Sequence, residues 1–104
     1  MTITKANIMD HISDLEEMGF KRWQKNGMDR MYIDARKLGY DRDTRTFKGE
    51  RISGGLASKF ETSKTYIDLK EMLVVSTCCD LAYEVAHMLE LDDICAGRCK
   101  YEIA

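Results

Sequence analysis

Between residues 4 and 18 apolar side chains recur at Ile8, Ile12 and Leu15, with Met9 and Met18 beside that stripe. The spacing predicts an amphipathic helix, with Thr4 placed to cap it and Gly19 as the residue just past its end. The period then changes from helical to alternating. Residues 21–25 and 28–34 are β-prone runs that meet at Asn26-Gly27, and a two-residue Asn-Gly loop predicts a hairpin, because a type I′ turn needs positive φ at both central residues. Met31 and Ile33 alternate with Arg30 and Tyr32, so one face of this strand is core and the other is cationic and aromatic.

Residues 34–39 read as one helical turn stopped by Gly39, after which residues 44–48 resume an extended pattern and Lys48-Gly49-Glu50 turns into Arg51-Ile52. Ser53 can cap a short helix over about residues 54–60, weakened by Gly54-Gly55 in its first turn. Residues 64–69 and 71–76 form a second, strongly apolar hairpin around Lys70, expected at the centre of the sheet. Residues 80–91 place Leu81, Val85, Met88 and Leu89 on one stripe, with Asp80, Glu84 and Glu90 toward solvent, which predicts an amphipathic helix. The segment from 92 to 104 has no decisive period. Strands framed by helices, without strict βαβ alternation, define the expected class as α+β: an N-terminal helix, a mostly antiparallel sheet of two hairpins with short intervening helices, and a C-terminal amphipathic helix.

At 104 residues and 44% apolar content, with no proline and no Gly/Ser tract, the chain is expected to be one domain over residues 1–104. Its longest apolar run, from Met72 to Val75, is too short to cross a bilayer, and residues 1–5 carry no signal-peptide core, so a cytoplasmic location is expected. The net charge of −2 hides a segregation. Residues 1–20 carry net −3; residues 21–59 hold eleven bases against five acids, net +6; residues 60–104 carry net −5. Such a basic island can steer an anionic partner, unless the flanking helices supply its countercharges.

The residues Gly19-Phe20, Arg22-Trp23, Lys25, Gly27, Asp29-Arg30 and Tyr32-Ile33, then Leu38-Gly39, Gly49-Glu50, Ile52-Ser53 and Lys64 to Asp68, carry a resemblance. Over about residues 15–70 the chain resembles a family of short proteins carried by phages and mobile elements. Residues 41–47 depart from that pattern, and the C-terminal part lies outside it. The resemblance implies a genomic setting in which small α+β proteins often act as counter-defence factors, inhibitors of CRISPR effectors among them. It brings no catalytic residue and no cofactor.

Chemical constellations are sparse. Cys78, Cys79, Cys95 and Cys99 with His87 form a poor zinc set, because adjacent Cys78 and Cys79 project in opposite directions and a lone Cys-x3-Cys lacks a second pair. In a reducing cytosol they read first as buried or free thiols, with a disulfide or redox sensor as the lesser alternative, and Cys95 and Cys99 share one face if the tail is helical. A Cys/His nucleophile at His87 has no strand-to-helix elbow behind it, and His11 reads as a surface histidine. The glycines from Gly49 to Gly55 lack the order and lysine of a P-loop.

The expected partner-binding residues are therefore Lys21, Arg22, Trp23, Lys25, Arg30, Tyr32, Arg42, Arg45, Lys48 and Arg51. A lone tryptophan in a domain of this size is a core anchor, unless it shares the cationic face with Tyr32, where it becomes a stacking platform or a protein hot spot. Two functions follow as expectations. One is a non-enzymatic inhibitor that binds a host protein or nucleoprotein, such as a CRISPR effector; the other is a direct DNA- or RNA-binding accessory protein, against which stands a pI near 5.7. A small enzyme ranks third, for want of an acid–base pair, and the free sheet edge leaves dimerisation open.

Overall fold

Thr4 and Asn7 start the chain's first helical turn by exchanging hydrogen bonds: Thr4 N–H donates to Asn7 Oδ1 at 2.8 Å and Asn7 N–H to Thr4 Oγ1 at 3.2 Å. In the computed structural model, which describes residues 2–91, 95–97 and 99–103, this turn leads into a 3₁₀ segment, Ile8–His11, and then into α1, Ile12–Glu17. The regular α-helix is thus shorter than the 4–18 stripe implies, because the reciprocal Thr4–Asn7 turn and the tighter 3₁₀ pitch take up its first half. Its end is a Schellman closure. Phe20 N–H reaches Leu15 O, Gly19 N–H reaches Glu16 O, and Gly19 adopts φ +113°, with Leu15 and Phe20 buried together beneath the turn.

Strands β1 (Lys21–Lys25) and β2 (Met28–Ile33) pair antiparallel, with Lys25 opposite Met28 and both Asn26 (φ +52°) and Gly27 (φ +79°) left-handed as a type I′ turn requires. A 3₁₀ turn over Ala35–Leu38 is capped by Asp34, which accepts from Arg36 N–H, and is ended by Gly39 at φ +109°. There follows a small three-stranded sheet that the sequence pattern showed only in part: β3 (Tyr40–Asp41), β4 (Thr46–Phe47) and β5 (Glu50–Arg51). Its second turn, Lys48-Gly49, has both φ values positive. Ser53 accepts from Leu56 N–H at the head of α2, Gly54–Thr62. Phe60 of α2 receives the rings of Tyr40 and Phe47 at 5.6 and 5.0 Å between centroids, fastening the small sheet to the core.

β6 (Thr65–Asp68) and β7 (Leu73–Ser76) form the second hairpin, and they do lie centrally in a six-stranded antiparallel sheet of order β1-β2-β6-β7-β9-β8. Helix α3, Cys79–Met88, packs across β7 and β9, with Leu81, Val85 and Leu89 fully buried. The α+β class is as the sequence pattern implies, but α3 is not the last element. β8 (Cys95–Gly97) and β9 (Lys100–Glu102) form a further hairpin, and β9 pairs with β7.

That hairpin corrects the reading of the cysteines. A helical tail would have put Cys95 and Cys99 on one face; in a hairpin they stand on either side of the reversal, and Cys99, at φ +58°, bonds to Cys79 at the start of α3, Cα to Cα 4.4 Å. Its neighbour Cys78 points into the core as a buried free thiol. No helix among the described residues is long and apolar enough to cross a membrane.

Candidate functional site

Burial along the main sheet alternates with the pleat and separates its two faces. Met31, Ile33, Thr65, Ile67, Val74 and Ser76 are buried beneath the helices, and on that side Thr65 and Ser76 share a hydroxyl–hydroxyl hydrogen bond of 2.8 Å. No helix among the described residues covers the other face. In register across it stand Lys21 opposite Tyr32, Trp23 opposite Arg30, Arg30 opposite Asp68, Tyr32 opposite Tyr66, and Tyr66 opposite Val75. The strand pattern that put Arg30 and Tyr32 on a cationic, aromatic face therefore holds, and Trp23 joins them there, 36% exposed, instead of anchoring the core.

The aromatic rings form one continuous row. Trp23 meets Tyr32 edge-on at 6.1 Å, Tyr32 meets Tyr66 at 5.1 Å, and the Arg30 guanidinium lies over Tyr66 with Cζ 4.4 Å from the ring centroid. Arg30 Nη1 donates to the Tyr32 hydroxyl at 3.1 Å, which raises the pKa of an already permanent cation. Its Nε is buried without a hydrogen-bond partner and finds only Asp68 Oδ2 at 3.8 Å. Leu73 and Val75 continue the face as half-buried apolar side chains, and Lys25 and Lys100 are exposed at its margins. Lys21, Lys25, Arg30 and Lys100 outnumber Asp68 and Glu102 on this surface, so it is locally positive although the chain as a whole is not.

The other expected contact residues do not gather here. Arg22 belongs to the helix side, where its Nε and Nη2 grip Asp29 at 3.1 and 2.8 Å and hold that carboxyl below the usual carboxylate range. Arg42 pairs with Glu61 at 3.1 Å and Lys48 with Glu84 of α3. Arg45, at φ +51°, lies in the turn between β3 and β4, and Arg51 in β5. Five bases of the island, Arg22, Arg30, Arg36, Arg42 and Lys48, thus have carboxylate partners, so countercharge from within the island and from its flanks cancels much of it. Tyr66 is a member of this face that the local sequence pattern does not mark. Its place beside Tyr32 depends on the β2–β6 register, a pairing across more than thirty residues that no local pattern specifies.

Chemically this face can stack planar rings and attract anions, with Trp23 the most accessible ring. No group of three or more His, Cys, Asp or Glu side chains placed to hold a metal ion occurs among the described residues. His87 stacks on Tyr83, and His11 Nδ1 lies 2.8 Å from Asp14. Neither a protein-family model, nor a curated protein, nor a solved structure matches the chain.

Proposed function

We propose that this chain is a non-enzymatic binding protein that holds single-stranded nucleic acid on the uncovered face of its main sheet. The observation that carries the reading is the row Trp23–Tyr32–Tyr66 with Arg30 set into it and Lys21 and Lys25 at its rim. Bases stack on such rings whatever their identity, each worth on the order of 1–3 kcal/mol, while the cations follow the phosphates. A pI of 5.7 does not oppose this, because on this face Lys21, Lys25, Arg30 and Lys100 outnumber Asp68 and Glu102 whatever the total charge.

Titration of Trp23 fluorescence with short DNA and RNA strands at two salt concentrations tests it: binding quenches the tryptophan and weakens as salt rises. No response at low salt overturns it.

The same face supports a second reading, the counter-defence inhibitor that the resemblance to phage-borne proteins implies, acting in a host cytoplasm on a nucleoprotein such as a CRISPR effector. Trp, Tyr and Arg clustered at the middle of an uncovered face are the side chains that dominate protein–protein hot spots, and this composition is what favours it. Capture of a nucleoprotein by the wild-type chain but not by Trp23→Ala, with no binding of free oligonucleotide, selects this reading over the first.

A further inference from the structure

Beside the aromatic face lies a cleft of about 360 Å³ between the start of β1, the end of β2 and the junction of α2 with β6. Three lysines line it: Lys21, Lys37 and Lys64, all exposed. Lys21 opens β1 directly opposite Tyr32, and Lys64 immediately precedes β6. Lys37 is held there by a glycine. Its aliphatic stem crosses Gly19 so closely that a Cβ on that residue would meet Lys37 Cγ at 2.9 Å. Gly19 therefore serves both the closure of α1 and the bed on which Lys37 lies.

The carboxylates of the cleft are already occupied. Asp34 accepts from Arg36 Nε at 3.1 Å and from Arg36 N–H at 2.9 Å; Glu61 accepts from the Tyr40 hydroxyl at 3.0 Å and pairs with Arg42. None of the three lysines has a carboxylate within ion-pair distance among the described residues. The cleft thus presents three lysines that hold no ion pair, beside acids already paired with arginines, although Lys37 lies near enough to Asp34 to help Arg36 lower its pKa. Tyr32 joins it to the aromatic row: its hydroxyl oxygen accepts from Arg30, which leaves its own proton to donate.

We infer that this cleft takes a phosphate group of the strand whose bases lie on the Trp23–Tyr32–Tyr66 row. The inference rests on the proposed function, and it fixes where the backbone leaves the aromatic face: past Tyr32 and toward α2. The ammonium groups act as separate point charges that follow a phosphate without fixing base sequence.

Two arms test it. In the first, a six-nucleotide single strand is titrated against wild type, Trp23→Ala, and the double variant Lys37→Met with Lys64→Gln, across a salt series, with thermal melts confirming that each variant is folded. Removing two of the three charges that hold this phosphate should weaken binding about tenfold at low salt and reduce the salt slope by roughly 0.7, the share of one single-strand phosphate. Trp23→Ala should weaken binding with the slope unchanged. If Trp23→Ala weakens binding but the double lysine variant keeps wild-type affinity and slope, the cleft inference is overturned and the aromatic-face reading stands. In the second arm, inorganic phosphate and pyrophosphate are titrated while the amide resonances of Gly19, Ala35 and Lys64 are followed, with chloride as control. Saturable shifts in wild type that vanish in the double variant support the cleft even where no oligonucleotide binds, an outcome that removes the aromatic-face reading alone. Absence of shifts together with an unchanged salt slope overturns the cleft outright.

Discussion

Arg30 lies over the ring of Tyr66, Cζ 4.4 Å from its centroid, and this contact, with one hydrogen bond to Tyr32, is what holds the guanidinium in place. Asp68 stands 3.8 Å from a buried Nε that makes no hydrogen bond. A lysine keeps the charge but loses the planar surface and the bond to Tyr32, so Arg30→Lys should loosen Tyr32 and Tyr66. The expected result is a three- to tenfold loss of oligonucleotide affinity with a stability change under about 1 kcal/mol, the scale of an accessible cation–π contact. Paired titration and urea melts measure both, and an unchanged affinity would mean that the rings need no support from Arg30.

Gly19 and Gly27 both have positive φ but should respond differently to alanine. At Gly27 (φ +79°) the nearest atom to an added Cβ is Lys70 Nζ at 4.0 Å, so only the backbone penalty applies, about 1 kcal/mol. At Gly19 (φ +113°) the same methyl also strikes the Lys37 stem at 2.9 Å. Gly19→Ala should therefore cost more than Gly27→Ala, and denaturant melts that give the reverse order would show that the Lys37 stem moves aside freely.

What the sequence revealed was what neighbours in the chain decide. The type I′ turn at Asn26-Gly27, the Gly19 closure, the Gly39 stop and the Ser53 cap are each specified within a few residues, and each is present. The alternation in β2 assigned Arg30 and Tyr32 to the open face because side-chain period follows from strand geometry alone. Pairings between distant segments were not legible. Tyr66 beside Tyr32, Lys48 on Glu84, β9 on β7 and Cys79 with Cys99 are each set by tertiary packing. The two-residue strands of the small sheet are too short to show any period. For the same reason the basic island looked larger in sequence than its unpaired part is: Arg22 and Arg42 count as positive until Asp29 and Glu61 are seen beside them.

The Arg22–Asp29 pair makes stability depend on acid. The two bonds from Arg22 depress the folded-state pKa of Asp29 below its unfolded value, so the stabilisation is complete above the unfolded pKa and is lost as pH falls through the folded one. The stability difference between wild type and Asp29→Asn should accordingly shrink as pH is lowered from about 6 to about 3. With Arg22 and Asp29 side chains 30% and 15% exposed, the whole effect should stay near or below about 1 kcal/mol. A difference constant across that range would show that the pair is not ionically coupled in solution.

The Cys79–Cys99 bond closes a loop across 20 residues that contains the whole of α3. By the chain-entropy argument such a closure stabilises by about 3 kcal/mol, chiefly by restricting the unfolded chain. Cys99→Ser, or wild type under a thiol reductant as in a reducing cytoplasm, should therefore melt at lower temperature, and the two should coincide. The reduced form should still fold, because β9 retains its pairing with β7, Ile103 is fully buried, and its N–H donates to Met72 O at 3.0 Å. Amide exchange should then rise first at Lys100 and Tyr101, while Ile67 and Val74 in the central strands stay protected. Cys78, buried in the same turn, should resist alkylation until the protein unfolds. Equal melting temperatures with and without reductant would mean that the bridge constrains nothing that β9 and Ile103 do not already hold.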